Sequence, residues 1–291
     1  MNHRKAVAAM LLATLMWSIA GVVTRHLDAA RSFEVTFWRA LFSAIALAVM
    51  LAWMRGPAPL LQALRSGGKK LWVSGLCWMV MFTAYMLALT LTTVANVLVT
   101  LALGPLLTAL IARLVLGHRL AARTWVAIAV AGIGIAWMYS GELTGGDPRH
   151  LLGTAVALCV PIAAAVNWSV LQHNRGAGST DMLPAVLIGA VLAALATLPF
   201  ALPLAASPHD LGLLAMLGVF QLAVPCLMAV AAARVLSAPE ASLLSLLEVI
   251  FGVAWAWLGA GESPSVPVLG GGLMVLLALA GNEAVALRRS R

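Results

Sequence analysis

Charge is scarce in this chain: Asp, Glu, Lys and Arg make up only 10% of its 291 residues. No polar interval is long enough to build an independent core, the longest being Arg55 to Lys70 and Gly141 to His150, so a sizeable extramembrane catalytic domain is excluded. Cysteine is scarce too. Cys77, Cys159 and Cys226 each sit inside an apolar run without a short-spaced partner, which points to buried packing rather than to a disulfide framework or a metal centre. A Gly-rich phosphate loop, a paired metal-ligand motif and a nucleophile elbow are all missing, so no cofactor is implied and the chain does not read as an enzyme. Gly270-Gly271-Gly272 falls inside an apolar segment, where close helix packing accounts for it.

What the chain has is apolar surface. Hydrophobic residues are 63% of the sequence, more than a water-soluble protein of this size could cover, and they are gathered into successive runs. A bilayer core about 30 Å thick asks for roughly twenty apolar residues per helix, and the chain is nearly a concatenation of such runs. Lipid is therefore its solvent. The pattern predicts an all-α integral membrane protein with ten transmembrane helices, over Ala6–Thr24, Phe33–Met54, Leu71–Leu91, Ala95–Leu114, Thr124–Tyr139, Leu151–His173, Met182–Phe200, Leu211–Ala232, Pro239–Ala260 and Val266–Val285. Only Thr92 and Thr93 separate the third from the fourth. A single long helix there is the alternative, but it would reach about twice the hydrocarbon thickness. The basic Met1–Lys5 start followed by apolar residues looks superficially like a secretory signal, yet its apolar part runs on through Val23 and is read as the first span.

A net charge of +8 could point to nucleic acid, but the basic residues lie in short loops and at the termini, beside membrane segments. With ten spans, one side collects Arg4, Lys5, Arg55, Arg65, Lys69, Lys70, Arg113, Arg119, Arg123, Arg175, Arg234 and the C-terminal arginines, against Arg25, Arg31 and Arg149 on the other. That bias puts both termini in the cytoplasm and no nucleic acid among the partners, which are the bilayer and a small solute.

The chain also echoes itself. Gly117-His118 aligns with Gly261-Glu262 and Leu106-Leu107 with Ile250-Phe251, while Trp17-Ser18 pairs with Trp168-Ser169. The echoes divide the chain into residues 1–147 and 148–291, each with five helices. An odd number makes the second half enter from the opposite side, an inverted repeat with a solute site near the midplane between the halves.

Ionisable groups inside spans are costly and are functional candidates for that reason. Glu248 lies near the middle of the ninth helix with Ser245, Gly252 and Trp255 on its face; Arg39 lies early in the second, and Glu240 and Glu283 near helix ends. Glu248 is either a solute-facing group or a protonated carboxyl bonded to a neighbouring helix. Asn96, Thr100, Gly104 and Thr108 recur every four residues, a polar stripe that either lines a path, as for Asn96 and Thr100, or packs, as for Thr108. Pro105, Pro161 and Pro225 each free a carbonyl one turn earlier. Trp78, Phe82 and Tyr85 share a face of the third helix. Trp17, Trp78 and Trp168 lie deeper and are either packing residues or rings lining a cavity for an apolar or aromatic solute or an ammonium group, whereas Trp53, Trp72, Trp125 and Trp137 fit interfacial anchors.

The segments Ala95 to Pro105 through Leu116-Gly-His-Arg-Leu120, and Ala241 to Val249 through Leu258-Gly-Ala-Gly-Glu262, resemble the two EamA-type repeats of the drug/metabolite transporter superfamily. Phe37-Trp38-Arg39-Ala40 is similar to its arginine-containing pattern. Two positions depart: Val249 stands where the second repeat usually has proline, and His118 where the first usually has glutamate, which weakens any symmetric role for His118 and Glu262. The resemblance covers essentially the whole chain and implies a bacterial inner-membrane exporter of metabolites, most similar to YddG-type aromatic amino-acid exporters. On that reading Trp17, Trp78, Tyr85 and Trp168 supply ring contacts, Asn96, Thr100 and Gln221 bond the polar end of an amino acid, and Glu248 meets its ammonium group or titrates. Relatives on the same scaffold carry other metabolites or cationic dyes, and a channel-like facilitator or a membrane-embedded enzyme are the readings of another class.

Overall fold

The computed structural model describes residues 2–30, 32–116, 122–143, 148–174, 181–236, 241, 244–245 and 247–289. Among them every regular element is helical. Six helices are long and apolar enough to cross a bilayer: His3–Thr24, Ser32–Arg55, Gly68–Leu91, Pro148–His173, Leu183–Ala201 and Pro208–Ala232. Shorter apolar helices cover Val94–Thr108, Trp125–Gly134, Leu247–Ala260 and Val266–Ala278. Gly117-His118 and Glu240 lie outside the described residues.

In chain order the elements are α1 His3–Ser18, α2 Ala20–Thr24, α3 Ser32–Arg55, α4 Pro57–Ser66, α5 Gly68–Leu91, α6 Val94–Leu101, α7 Gly104–Leu116, α8 Ala122–Leu143, α9 Pro148–His173, α10 Leu183–Ala201, α11 Pro208–Met216, a π-helical segment Leu217–Ala223, α12 Val224–Ala232, α13 Leu247–Ala260 and α14 Val266–Arg289. The outside of this bundle is apolar, with Trp53, Phe200, Leu258 and Val266 exposed, as a lipid-facing surface requires. Its inside relies on small residues that let backbones approach. A Cβ on Gly189 would fall 2.3 Å from that of Trp78, and one on Gly75 2.5 Å from Ile188 Cγ2, which fixes α5 against α10. The glycine run in α14 works similarly: Gly134 of α8 abuts the Gly271 carbonyl, and Gly270 abuts the Trp137 ring.

The chain does break between the third and fourth apolar runs. α5 stops at Leu91, Thr92 is extended, and the Thr93 hydroxyl caps α6 by accepting the Asn96 N–H. A second break, between α6 and α7, comes at Ala102-Leu103, directly ahead of Gly104 and Pro105, where proline cannot donate to the carbonyl one turn earlier. Two elements carry no signal in a search for spanning runs. One is α4, inside the interval Arg55 to Lys70: it is too short to cross and buries only Leu60. The other is the π segment, where Val224 N–H bonds the Val219 carbonyl five residues back, immediately before Pro225 removes the donor that would have kept α-helical register.

The two ends of the bundle are closed by charge. At one, Asp210 accepts backbone N–H groups from Asp28, Ala29, Ala30 and Ser207 at 2.7 to 3.3 Å. Glu34 receives those of Ala205 and Ala206, and Glu262 bonds both the Val94 N–H, at 2.7 Å, and Arg25 Nε, at 3.0 Å. At the other end Asp181 joins Arg55 of α3 to Arg234, just past α12, the latter at 2.8 Å.

Candidate functional site

A cavity of about 140 Å³ opens inside the bundle. Its wall combines α1, α3, α5, α6 and α7 from the first half of the chain with α9, the π segment, α12 and α13 from the second. Helical spacing brings Trp78, Phe82 and Tyr85 to one face of α5, and all three reach the wall; Trp78 and Phe82 stack tilted with ring centroids 5.4 Å apart. Trp17 and Trp168, the echoed tryptophans, face the cavity from α1 and α9. Pro105, with Leu101, Ala102 and Gly104 at the break between α6 and α7, and Pro161 of α9 complete an apolar lining.

Polar groups enter this lining sparsely, and several are incompletely bonded. Arg39 is 1% exposed; its Nη1 donates to Gln221 Oε1 at 3.0 Å and its Nη2 to the Phe82 carbonyl at 2.8 Å, while Nε has no partner. Gln221, raised on the π segment, uses its Nε2 on the Trp17 carbonyl at 3.2 Å. This pairing rests on direct backbone contact, because a Cβ on Gly218 would lie 2.7 Å from the Arg39 carbonyl oxygen. Glu248 stands beside the Tyr85 hydroxyl, which closes no hydrogen bond of good geometry. Asn167 accepts from the Ser74 hydroxyl at 2.6 Å but leaves its Nδ2 without a partner, as Trp78 leaves its Nε1. Such a wall offers flat apolar faces and a few donors and one acceptor pair that a bound solute can complete.

Of the residues singled out from sequence, Trp17, Trp78, Tyr85, Trp168, Gln221 and Glu248 meet in this cavity. Asn96 and Thr100 do not line it. Both are buried in α6, where Asn96 Nδ2 donates to the Thr92 hydroxyl and the Thr100 hydroxyl to the Asn96 carbonyl. Thr108, further along the same stripe, does line the cavity, because the break before Pro105 turns the helix face. The face expected around Glu248 also divides. Ser245 lines the cavity, but Gly252 packs on Leu98 and the Trp255 indole donates to Ser18 Oγ at 3.2 Å. Arg39, Asn167 and Phe82 join the wall without having been assigned a solute contact. For Arg39 the signal was present, a cation early in an apolar run, but nothing in the sequence told which helix it would face.

The profile of the EamA-like transporter family matches residues 4–140 and again residues 151–282. No curated protein matches the chain. A solved structure described only as "Crystal structure of protein" superposes with a TM-score of 0.68 at 18% identity, covering 100% of each chain, a likeness of fold.

Proposed function

Because this chain belongs to the EamA-like transporter family, and is thus a multi-pass membrane transporter with two family repeats, we propose that its cavity carries an aromatic or other hydrophobic amino acid out of the cytoplasm. The observation that carries this reading is the wall itself. A space of about 140 Å³ is close to the roughly 150 Å³ that holds a benzene ring, and Trp17, Trp78, Phe82 and Trp168 offer ring faces around it. Gln221 and Glu248 supply polar partners for the charged end, which a desolvated zwitterion needs if its transfer from water is not to be prohibitive.

The transport cycle follows from the repeat. Residues 1–147 and 148–291 act as five-helix halves of opposite orientation, and their rocking exposes the cavity to one face and then the other. On this reading the protein sits in a bacterial inner membrane, and the charge bias of the loops supports both termini lying in the cytoplasm. Support for this orientation comes from the ends of the bundle, where Arg55 and Arg234 share one end and Arg25 the opposite one, as the bias requires.

Proteoliposomes containing the purified protein and labelled L-phenylalanine test the reading. Saturable flux, competed by other hydrophobic amino acids, is the expected result. Flux linear in concentration would indicate a channel, and no flux with any amino acid would overturn the cargo assignment.

A further inference from the structure

We infer that Arg39 is the carboxylate-binding group of the cavity, so that the solute must carry a free carboxylate; this deepens the amino-acid reading above and rests on it for the identity of the rest of the solute. A guanidinium has five N–H donors and a fixed positive charge. Arg39 spends donors on two neutral oxygens, Gln221 Oε1 and the Phe82 carbonyl, and keeps Nε without a partner. Among the described residues it forms no ion pair, and its electrostatic neighbours, Tyr85 and Cys226, are a phenol and a thiol. Both acceptors could be served by a neutral amide. The charge itself is therefore used by nothing in the described protein, although burying it in a membrane-embedded wall is costly.

The surroundings make the group a receptor rather than a loose cation. Gln221 holds one arm of the guanidinium from a π-helical turn, a costly local geometry that recurs at functional sites, and the Gly218 contact brings that turn directly onto the backbone of α3. Glu248 lines the same cavity without pairing with Arg39, and the Tyr85 hydroxyl lies within electrostatic reach of both. A cation and a carboxyl that line one cavity without pairing suit a solute with separated opposite charges. A single buried cation fits a monocarboxylate better than a phosphate, whose greater charge calls for several donors.

The experiment measures displacement of labelled ligand from the purified full chain, using L-phenylalanine, 3-phenylpropionate, which keeps the carboxylate and lacks the ammonium, and L-phenylalaninamide, which does the reverse. The expected result is that both acids bind and that the amide binds about ten-fold more weakly than phenylalanine, the size of one lost charge-assisted hydrogen bond. In R39Q the acid-to-amide ratio should fall to near one, and R39K, which keeps the charge, should retain most of it. A general loss of packing would weaken all three ligands together and leave the ratio intact. Q221E supplies an internal counter-ion, and its ratio should collapse as well, which keeps the test open if R39Q does not fold. An amide that binds as well as phenylalanine, or an unchanged ratio in folded R39Q or Q221E, overturns the inference while the amino-acid reading stands. Binding of 3-phenylpropionate without phenylalanine would sink that reading and keep Arg39 as the carboxylate group; binding of neither acid removes both.

Discussion

The carboxylates at the Asp210 end of the bundle and the polar groups in its cavity are treated in opposite ways. Asp210 is fully buried and accepts four backbone N–H groups, and Glu262 bonds both a helix N-terminus and Arg25. Both are satisfied by the protein itself. In the cavity Arg39 Nε, Trp78 Nε1, Tyr85 Oη and Asn167 Nδ2 all lack partners within hydrogen-bonding geometry. Unsatisfied buried groups cost stability; Glu34 Oε2, Ser43 Oγ and Thr83 Oγ1 are others outside the cavity, but these four belong to residues of one wall, where a ligand can complete the network. Equally polar residues thus divide into those that make the fold and those that serve the solute, and the division is read from their bonding, not from their type.

The largest effect should come from breaking the satisfied side. Asp210→Ala strands backbone donors of two loops and should cost about 3 kcal/mol, lowering the unfolding temperature in detergent markedly. Because Asp210 is remote from the cavity wall, the relative affinities of bound solutes should stay as they were. Unfolding at the wild-type temperature would mean that the loops find other acceptors and that Asp210 does not hold this end together. Next is Gly218→Ala, which drives a methyl group to within 2.7 Å of the Arg39 carbonyl oxygen. Backbone must give way, at about 2 kcal/mol by the usual cost of overpacking, and the Arg39–Gln221 pair should be displaced with it. Thermal unfolding and solute affinity should therefore fall together in this variant, whereas Asp210→Ala separates them.

On the cavity side, Trp168→Ala removes a ring from the wall without touching the Asp210 end. The protein should unfold somewhat below the wild-type temperature, because the ring also packs on the core, and bind labelled phenylalanine about ten-fold more weakly through lost stacking and apolar contact. Undiminished binding would take Trp168 out of the solute site. Reduced stability with unchanged binding would turn it into a packing residue.

The sequence announces apolar runs and helix periodicity well because both are local. Trp78, Phe82 and Tyr85 share a face by spacing alone, and Thr92-Thr93 signals a break that the structure realises through the Thr93 cap. Trp17 and Trp168 are visible as candidates because the repeat places them at corresponding positions. What stays hidden depends on contacts between distant segments. Arg39 becomes a wall residue only through Gln221 and Phe82, from other helices, and Asn167 only through Ser74. The π turn that raises Gln221 and the short helix Pro57–Ser66 escape a search tuned to lengths that span lipid.

The smallest expected effect tests where periodicity misleads. Asn96, Thr100 and Thr108 lie on one stripe if the helix is continuous, but the turn at Ala102-Leu103 separates the first two from the cavity and leaves Thr108 in it. The Thr100 hydroxyl donates back to the Asn96 carbonyl, a bond within its own helix. Thr100→Val should leave phenylalanine binding unaltered, since Thr100 does not line the cavity. Thr108→Val has the same shape change inside the wall, so it should shift binding more than Thr100→Val does. The reverse ranking, in parallel displacement assays, would return the stripe to a single continuous path and move the solute toward α6.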